Sequence, residues 1–226
     1  MTMDYVRYDW AGGREWMLRT GPREGPQAMI VPPLFEEMNF LRALTVALAR
    51  DLAGLGVGCW IVDLPGTGES ARPLAETSLS DWRAGATAAA AAIAEAAGLP
   101  HVAALRGGAL IDDAAQALSC WRFAPADGAG LLRQMERAQA IGEREAGRPA
   151  AAADAPTIDL IGYRIGRPLY DAVRAAAPAT PPWPLREVPF AGPGAAPWRR
   201  AEPAPDAALS RALAEDLAVW IAACGG

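Results

Sequence analysis

The chain has 226 residues, enough to bury a full core as one α/β domain of ordinary size. Hydrophobic residues make up 52% and charged residues 21%, yet no charge-free apolar stretch reaches the roughly 20 residues of a membrane span. Net charge is -5, all 21 basic residues are arginine, and the longest basic run is Arg199-Arg200, which leaves little footing for nucleic acid.

Met1 to Tyr8 lacks the basic-then-apolar pattern of a signal peptide, so a cytoplasmic location is expected. Cys59, Cys120 and Cys224 are far apart and in no ligand spacing, so neither a disulfide framework, a metal site nor a cofactor is expected. There is a single histidine, His101, and any histidine-based mechanism must use it.

Residues 5–10 and 14–19 alternate apolar and polar around Ala11-Gly12-Gly13, which predicts a β-hairpin. Ala28 to Val31 is a buried strand stopped by Pro32-Pro33. Leu41, Leu44, Leu48, Leu52 and Leu55 then recur at helical spacing within Glu36 to Leu55. A strand over Cys59 to Leu64 leads into the loop Pro65 to Ser70. Ser80 is expected to cap a helix running to Ala97.

His101 to Leu105 is the next strand, followed by a turn at Arg106-Gly107-Gly108, a helix over Ala109 to Leu118, and a strand over Cys120 to Phe123. Such alternation argues for a doubly wound, mostly parallel sheet with right-handed crossovers. The loops after Val31, Leu64 and Leu105 should then share a crevice at the carboxyl ends of the strands.

From Gly128, Leu131, Leu132, Met135, Ala138 and Ile141 form one face of a charged helix. Arg148 to Pro156 reads as a flexible connection and Thr157 to Ala177 as a second helical element. Residues 126–178 are therefore expected to form a helical lid over the crevice of a single domain spanning 1–226. A strand within Leu185 to Phe190 and a helix over Asp206 to Ala223 complete the chain.

Val31 to Asn39 (VPPLFEEMN), Ile61 to Ser70 (IVDLPGTGES), Ala104 to Leu110 (ALRGGAL) and Ile161 to Ile165 (IGYRI) resemble the exosortase A system-associated hydrolases, second type. The resemblance implies an α/β-hydrolase fold with an N-terminal hairpin and a lid. It also implies a protein encoded with envelope polysaccharide and protein-sorting systems.

An active hydrolase of that fold carries G-x-S-x-G at the strand-to-helix turn. Here the turn reads Ala104-Leu105-Arg106-Gly107-Gly108, with arginine in the nucleophile's place. A guanidinium stays protonated and cannot attack a carbonyl. After the lid there is room for one strand only, and Val188 to Trp198, which resembles the family's final strand and loop, contains no histidine. The fold is thus expected to be shortened at the C-terminus, without the triad's acid and base.

His101 should lie at the far end of its strand, structural rather than catalytic. Arg106 suits an anion, helped by the amides of Gly107 and Gly108 at a helix start. The bland alternative is an ion pair with Glu36 or Glu37. Glu36 and Glu37 are weaker candidates for directing water, and Asn39 for anchoring its loop or contacting a ligand. Asp63 is expected to accept backbone hydrogen bonds, Ser70 to lack any activating base, and Asp112 and Asp113 to be helix-surface charges. Tyr163, Trp183 and Trp198 either line a pocket beneath the lid or pack in the core.

The expected function is therefore non-catalytic binding of a small anionic or acyl ligand, or of a protein partner, with Arg106, Gly107, Gly108, Glu36, Glu37, Asn39, Tyr163 and Trp198 as the lining. The rival is a triad-less hydrolase or acyltransferase using Arg106, the turn amides and Glu36 or Glu37.

Overall fold

The computed structural model describes residues 3–146 and 155–225. β1 (Met3–Trp10) and β2 (Gly13–Thr20) form the expected hairpin around the two-residue turn at Ala11-Gly12. β3 (Gln27–Val31), α1 (Glu36–Gly54), β4 (Gly58–Val62), α2 (Leu79–Ala97), β5 (His101–Leu105) and β6 (Cys120–Phe123) follow in the expected order. With β9 (Leu185–Val188), the sheet runs β1-β2-β4-β3-β5-β6-β9, antiparallel through β1, β2 and β4 and parallel from β4 onward.

The central strands β3 and β5 are buried on both faces, which is why they read as continuous apolar runs. Met29, Val31, Val102 and Ala104 face the layer holding α2, and Ile30, Ala103 and Leu105 face α1 and the last helix. α1 buries Leu41, Leu44, Leu48 and Leu52, while Leu55, expected on the same face, is the exposed residue that ends the helix.

The cap of α2 is Ser78, not Ser80. The Asp81 carboxylate accepts from the Ser78 backbone N–H at 2.9 Å and the Ser78 hydroxyl accepts from the Asp81 N–H at 3.1 Å, a reciprocal arrangement that Ser80 lacks.

The helix expected over Ala109 to Leu118 is replaced by short 3-10 turns at Arg106–Leu110 and Asp112–Ala114. Asp112 and Asp113 account for this. Rather than lying on a helix surface, Asp112 is buried against the Arg122 guanidinium at 2.7 Å, and Asp113 binds Arg83 of α2 through two 2.7 Å bonds. Both carboxylates are thereby committed to guanidiniums of other elements, Arg122 of β6 and Arg83 of α2.

The region 126–178 is also less helical than expected. α3 (Gly128–Glu145) forms, but Thr157 to Ala177 divides into a hairpin, β7 (Thr157–Leu160) and β8 (Tyr163–Gly166), followed by α4 (Arg167–Ala175). Ile161 and Gly162 turn the chain at φ 43° and 90°, and Pro168 in the first turn of α4 fits a helix start. The connection expected over Arg148 to Pro156 lies outside the described residues up to 154.

One strand follows this region among the described residues: β9 (Leu185–Val188), parallel to β6. α5 (Ala207–Ala223), capped by Asp206, packs beside α1. Among the described residues no helix is long and apolar enough to cross a membrane.

His101 is buried at the start of β5, at the opposite end of that strand from Arg106, with Nδ1 2.8 Å from the Ser119 hydroxyl and Nε2 without a hydrogen-bond partner. Burial lowers its pKa because an imidazolium there would hold an unsolvated N–H. The unfolded chain therefore binds the proton first, and stability is lost as pH falls below the ordinary histidine value of about 6.5, by up to about 1.4 kcal/mol per pH unit. Urea unfolding of wild type and His101→Gln should diverge in slope between neutral and mildly acidic pH. Parallel pH profiles would show that His101 is not buried neutral.

Candidate functional site

The site is centred on the turn leaving β5. Arg106 has φ 53°, in the left-handed region that a non-glycine residue occupies at a cost of about 1–3 kcal/mol. Of the two glycines after it, Gly108 is required sterically, because its nearest neighbours are backbone, whereas a Cβ on Gly107 would meet movable side chains. A Cβ on Gly107 would stand 2.5 Å from Leu131 Cδ1, and one on Gly108 would stand 2.7 Å from the carbonyl oxygen of Val31. The sharp turn, pressed against the loop after β3 and against α3, follows directly from the Arg-Gly-Gly sequence.

Of the two adjacent glutamates, Glu37 takes the ion pair. Arg106 Nε donates to Glu37 Oε2 at 3.1 Å and Nη2 donates to Oε1 at 2.9 Å, while Nη1 donates to the Ala124 carbonyl at 2.6 Å. Burial pushes the Glu37 carboxyl pKa up, opposed by the charges of Arg106 and Arg199. Glu36 lies in the first turn of α1, half-buried, and its carboxyl is raised by burial.

Trp198 closes the site from above. Its ring centre lies 4.0 Å from the Arg106 guanidinium carbon, and Phe123 and Phe190 pack against its edges. Its carbonyl accepts a bond from Gln134 of α3 at 3.2 Å. The loop after the last strand therefore reaches the β5 turn and delivers an indole to it.

Asn39 holds the β7–β8 hairpin, with Nδ2 donating to the Tyr163 hydroxyl at 2.9 Å, and Tyr163 also stands edge-on to Phe35. Trp183 packs elsewhere, with its indole N–H bonded to the Ala115 carbonyl. Tyr163, Trp183 and Trp198 thus have separate partners.

The space left beside Glu36 and Glu37, bounded by Leu34, Leu131, Gln134 and Met135, is about 10 Å³, room for about one water. Asp63 accepts from the Glu69 backbone N–H at 3.0 Å, as expected, and the Ser70 hydroxyl accepts from the N–H groups of Gly66 and Arg72. Their loop turns toward α2, where Trp82 donates to the Pro65 carbonyl. Among the described residues no group of three or more His, Cys, Asp or Glu side chains is placed to hold a metal ion.

The contacts of Arg106 with Ala124 and Trp198, and the hold of Gln134 on Trp198, have no sequence signal. The nearest hint is that the loop after β9 ends in Pro197-Trp198.

No family model matches the chain, and no curated protein matches it. Among solved structures it is similar to Est1E from Butyrivibrio proteoclasticus with ferulic acid bound, at TM-score 0.64 and 12% identity, covering 96% of this chain and 99% of that one. It is also similar to alpha/beta hydrolase domain-containing protein 10 from mouse, at TM-score 0.53 and 15% identity, covering 84% and 77%. With its mostly parallel sheet, flanking helices and sharp turn after β5, the chain has the α/β-hydrolase fold.

Proposed function

We propose that the chain is a non-catalytic α/β-hydrolase-fold protein that binds a small anionic or acyl ligand at the crevice over Arg106. The observation carrying this reading is the guanidinium at the turn after β5, locked to Glu37 and Ala124 in the place of a nucleophile. It is permanently protonated, so covalent attack is closed to it. Those bonds engage three of its five N–H groups and leave two for an incoming anion. The space beside Glu37 holds about one water, so a ligand enters only if α3, within the lid 126–178, and Trp198, which Gln134 of α3 holds, move aside. The motif resemblance supports an accessory role beside an exosortase-associated system.

The rival, triad-less hydrolysis, would use Glu36 to direct water. A carboxyl raised by burial next to a single-water space suits that chemistry, but the space admits no substrate without the same lid movement.

The purified protein should show no turnover of p-nitrophenyl acetate, butyrate or octanoate above the rate without protein. Short-chain carboxylates should raise its melting temperature, and Arg106→Met should abolish that rise. Ester turnover lost in Arg106→Met would overturn the proposal, as would a carboxylate-induced rise that survives the substitution.

A further inference from the structure

A second concavity, lined by other residues than those around Arg106, lies between α1, the hairpin and the loop after β4. Its lining brings together β1 and β2 of the hairpin, β4 and one side of α1. The gap is floored by Leu18, Ile61, Val46 and Met38, with a volume of about 80 Å³. It opens toward the ledge formed by Tyr5 and Trp16, whose rings meet edge to face. An enclosed cavity of about 150 Å³ holds benzene, so this open groove, at about half that volume, takes a small branched group such as isobutyl with one side left to solvent.

Three charges line this groove: Arg42 on α1, and Asp63 and Glu69 on the loop after β4. Among the described residues neither Arg42 nor the Glu69 side chain forms an ion pair, and the half-buried Asp63 carboxylate accepts only the Glu69 N–H. Arg42 is near enough for its charge to favour the ionised form of Asp63, yet neither it nor Glu69 is tied up in an ion pair, so opposite charges line one apolar groove. A purely anionic ligand would face two carboxylates, and a purely cationic one would face the guanidinium. A ligand carrying both charges on a compact apolar body satisfies all three.

We propose that this groove binds a hydrophobic amino acid, its carboxylate at Arg42, its ammonium at Glu69 and Asp63, and its side chain on Leu18, Ile61, Val46 and Met38. This site does not rest on the crevice reading and uses none of the side chains named for it, although Met38 and Arg42 stand on the same helix as Glu37.

The test is calorimetric titration of the full chain with leucine, leucinamide and N-acetylleucine at millimolar concentration. Leucine should bind, and each derivative, having lost one charge, should bind about tenfold more weakly. Arg42→Gln should remove the preference for leucine over leucinamide, and Glu69→Gln should reduce the preference over N-acetylleucine. Both positions are exposed, so circular dichroism should show unchanged folding. Absence of leucine binding, or binding that Arg42→Gln leaves unaltered, overturns the proposal. Either result leaves the Arg106 site untouched.

Discussion

Asp112→Ala is expected to destabilise the fold by about 3–5 kcal/mol, a drop in melting temperature of roughly 10 °C for a chain of this size. Asp112 is fully buried, its two oxygens accepting from Arg122 Nε at 2.7 Å and Nη2 at 2.8 Å. Arg122 is itself 2% exposed and also donates to the Ala179 carbonyl and to Glu187 of β9. Deleting the carboxylate strands a guanidinium that cannot shed its proton, with the half-exposed Glu187 as the remaining counter-charge. The pair is worth far less than its disruption costs, since burial pushes the Asp112 carboxyl up even beside Arg122. The double variant Asp112→Leu with Arg122→Met should therefore recover most of the loss. Urea unfolding of wild type and the two variants checks this, and a double variant no better than Asp112→Ala would show that the pair itself stabilises the fold.

The same pair shows why part of the fold was legible in the sequence and part was not. Strands β3, β4, β5 and β6 and helices α1, α2, α3 and α5 follow from apolar periodicity and from punctuation by Gly and Pro, which are local signals. Where a helix after Gly108 is expected, Asp112 and Asp113 instead pair with Arg122 and Arg83, 10 and 30 residues away, contacts that no local pattern signals. Thr157 to Ala177 misled for a different reason. Ile158, Ile161, Ile165 and Leu169 suit a helix face, but positive φ at Ile161 and Gly162 and the proline at 168 divide the segment into hairpin and helix. At the site, the Arg106 turn and its glutamate partner were readable because Gly107 and Gly108 demand a sharp turn and a buried arginine demands a carboxylate. The choice of Glu37 over Glu36 is a matter of which face of α1 meets β5. Trp198 over the guanidinium depends on the path of a loop that carries no periodic pattern.

Arg106→Met tests both that geometry and its electrostatics, and its effect should depend on pH. With 13% of the arginine side chain and 6% of the Glu37 side chain exposed, removing the guanidinium leaves a carboxylate in an apolar setting, at a cost of about 3–5 kcal/mol while it stays ionised. Unlike Arg122, Glu37 can relieve this by taking a proton. Its pKa in the folded chain already lies above the unfolded value because burial outweighs the pull of Arg106, and losing Arg106 raises it further. A carboxyl raised on folding contributes stability that is complete below the unfolded value of about 4.3 and is lost as pH rises through the folded value. The variant should therefore lie closest to wild type in mild acid and fall progressively behind as pH rises to neutrality and above. Adding Glu37→Gln should flatten that dependence. Both side chains keep the backbone at φ 53°, so the cost of that conformation cancels in the comparison. Denaturant unfolding from mildly acidic to mildly alkaline pH measures the difference directly, and a destabilisation equal at all pH values would mean that Glu37 is not the charge Arg106 neutralises.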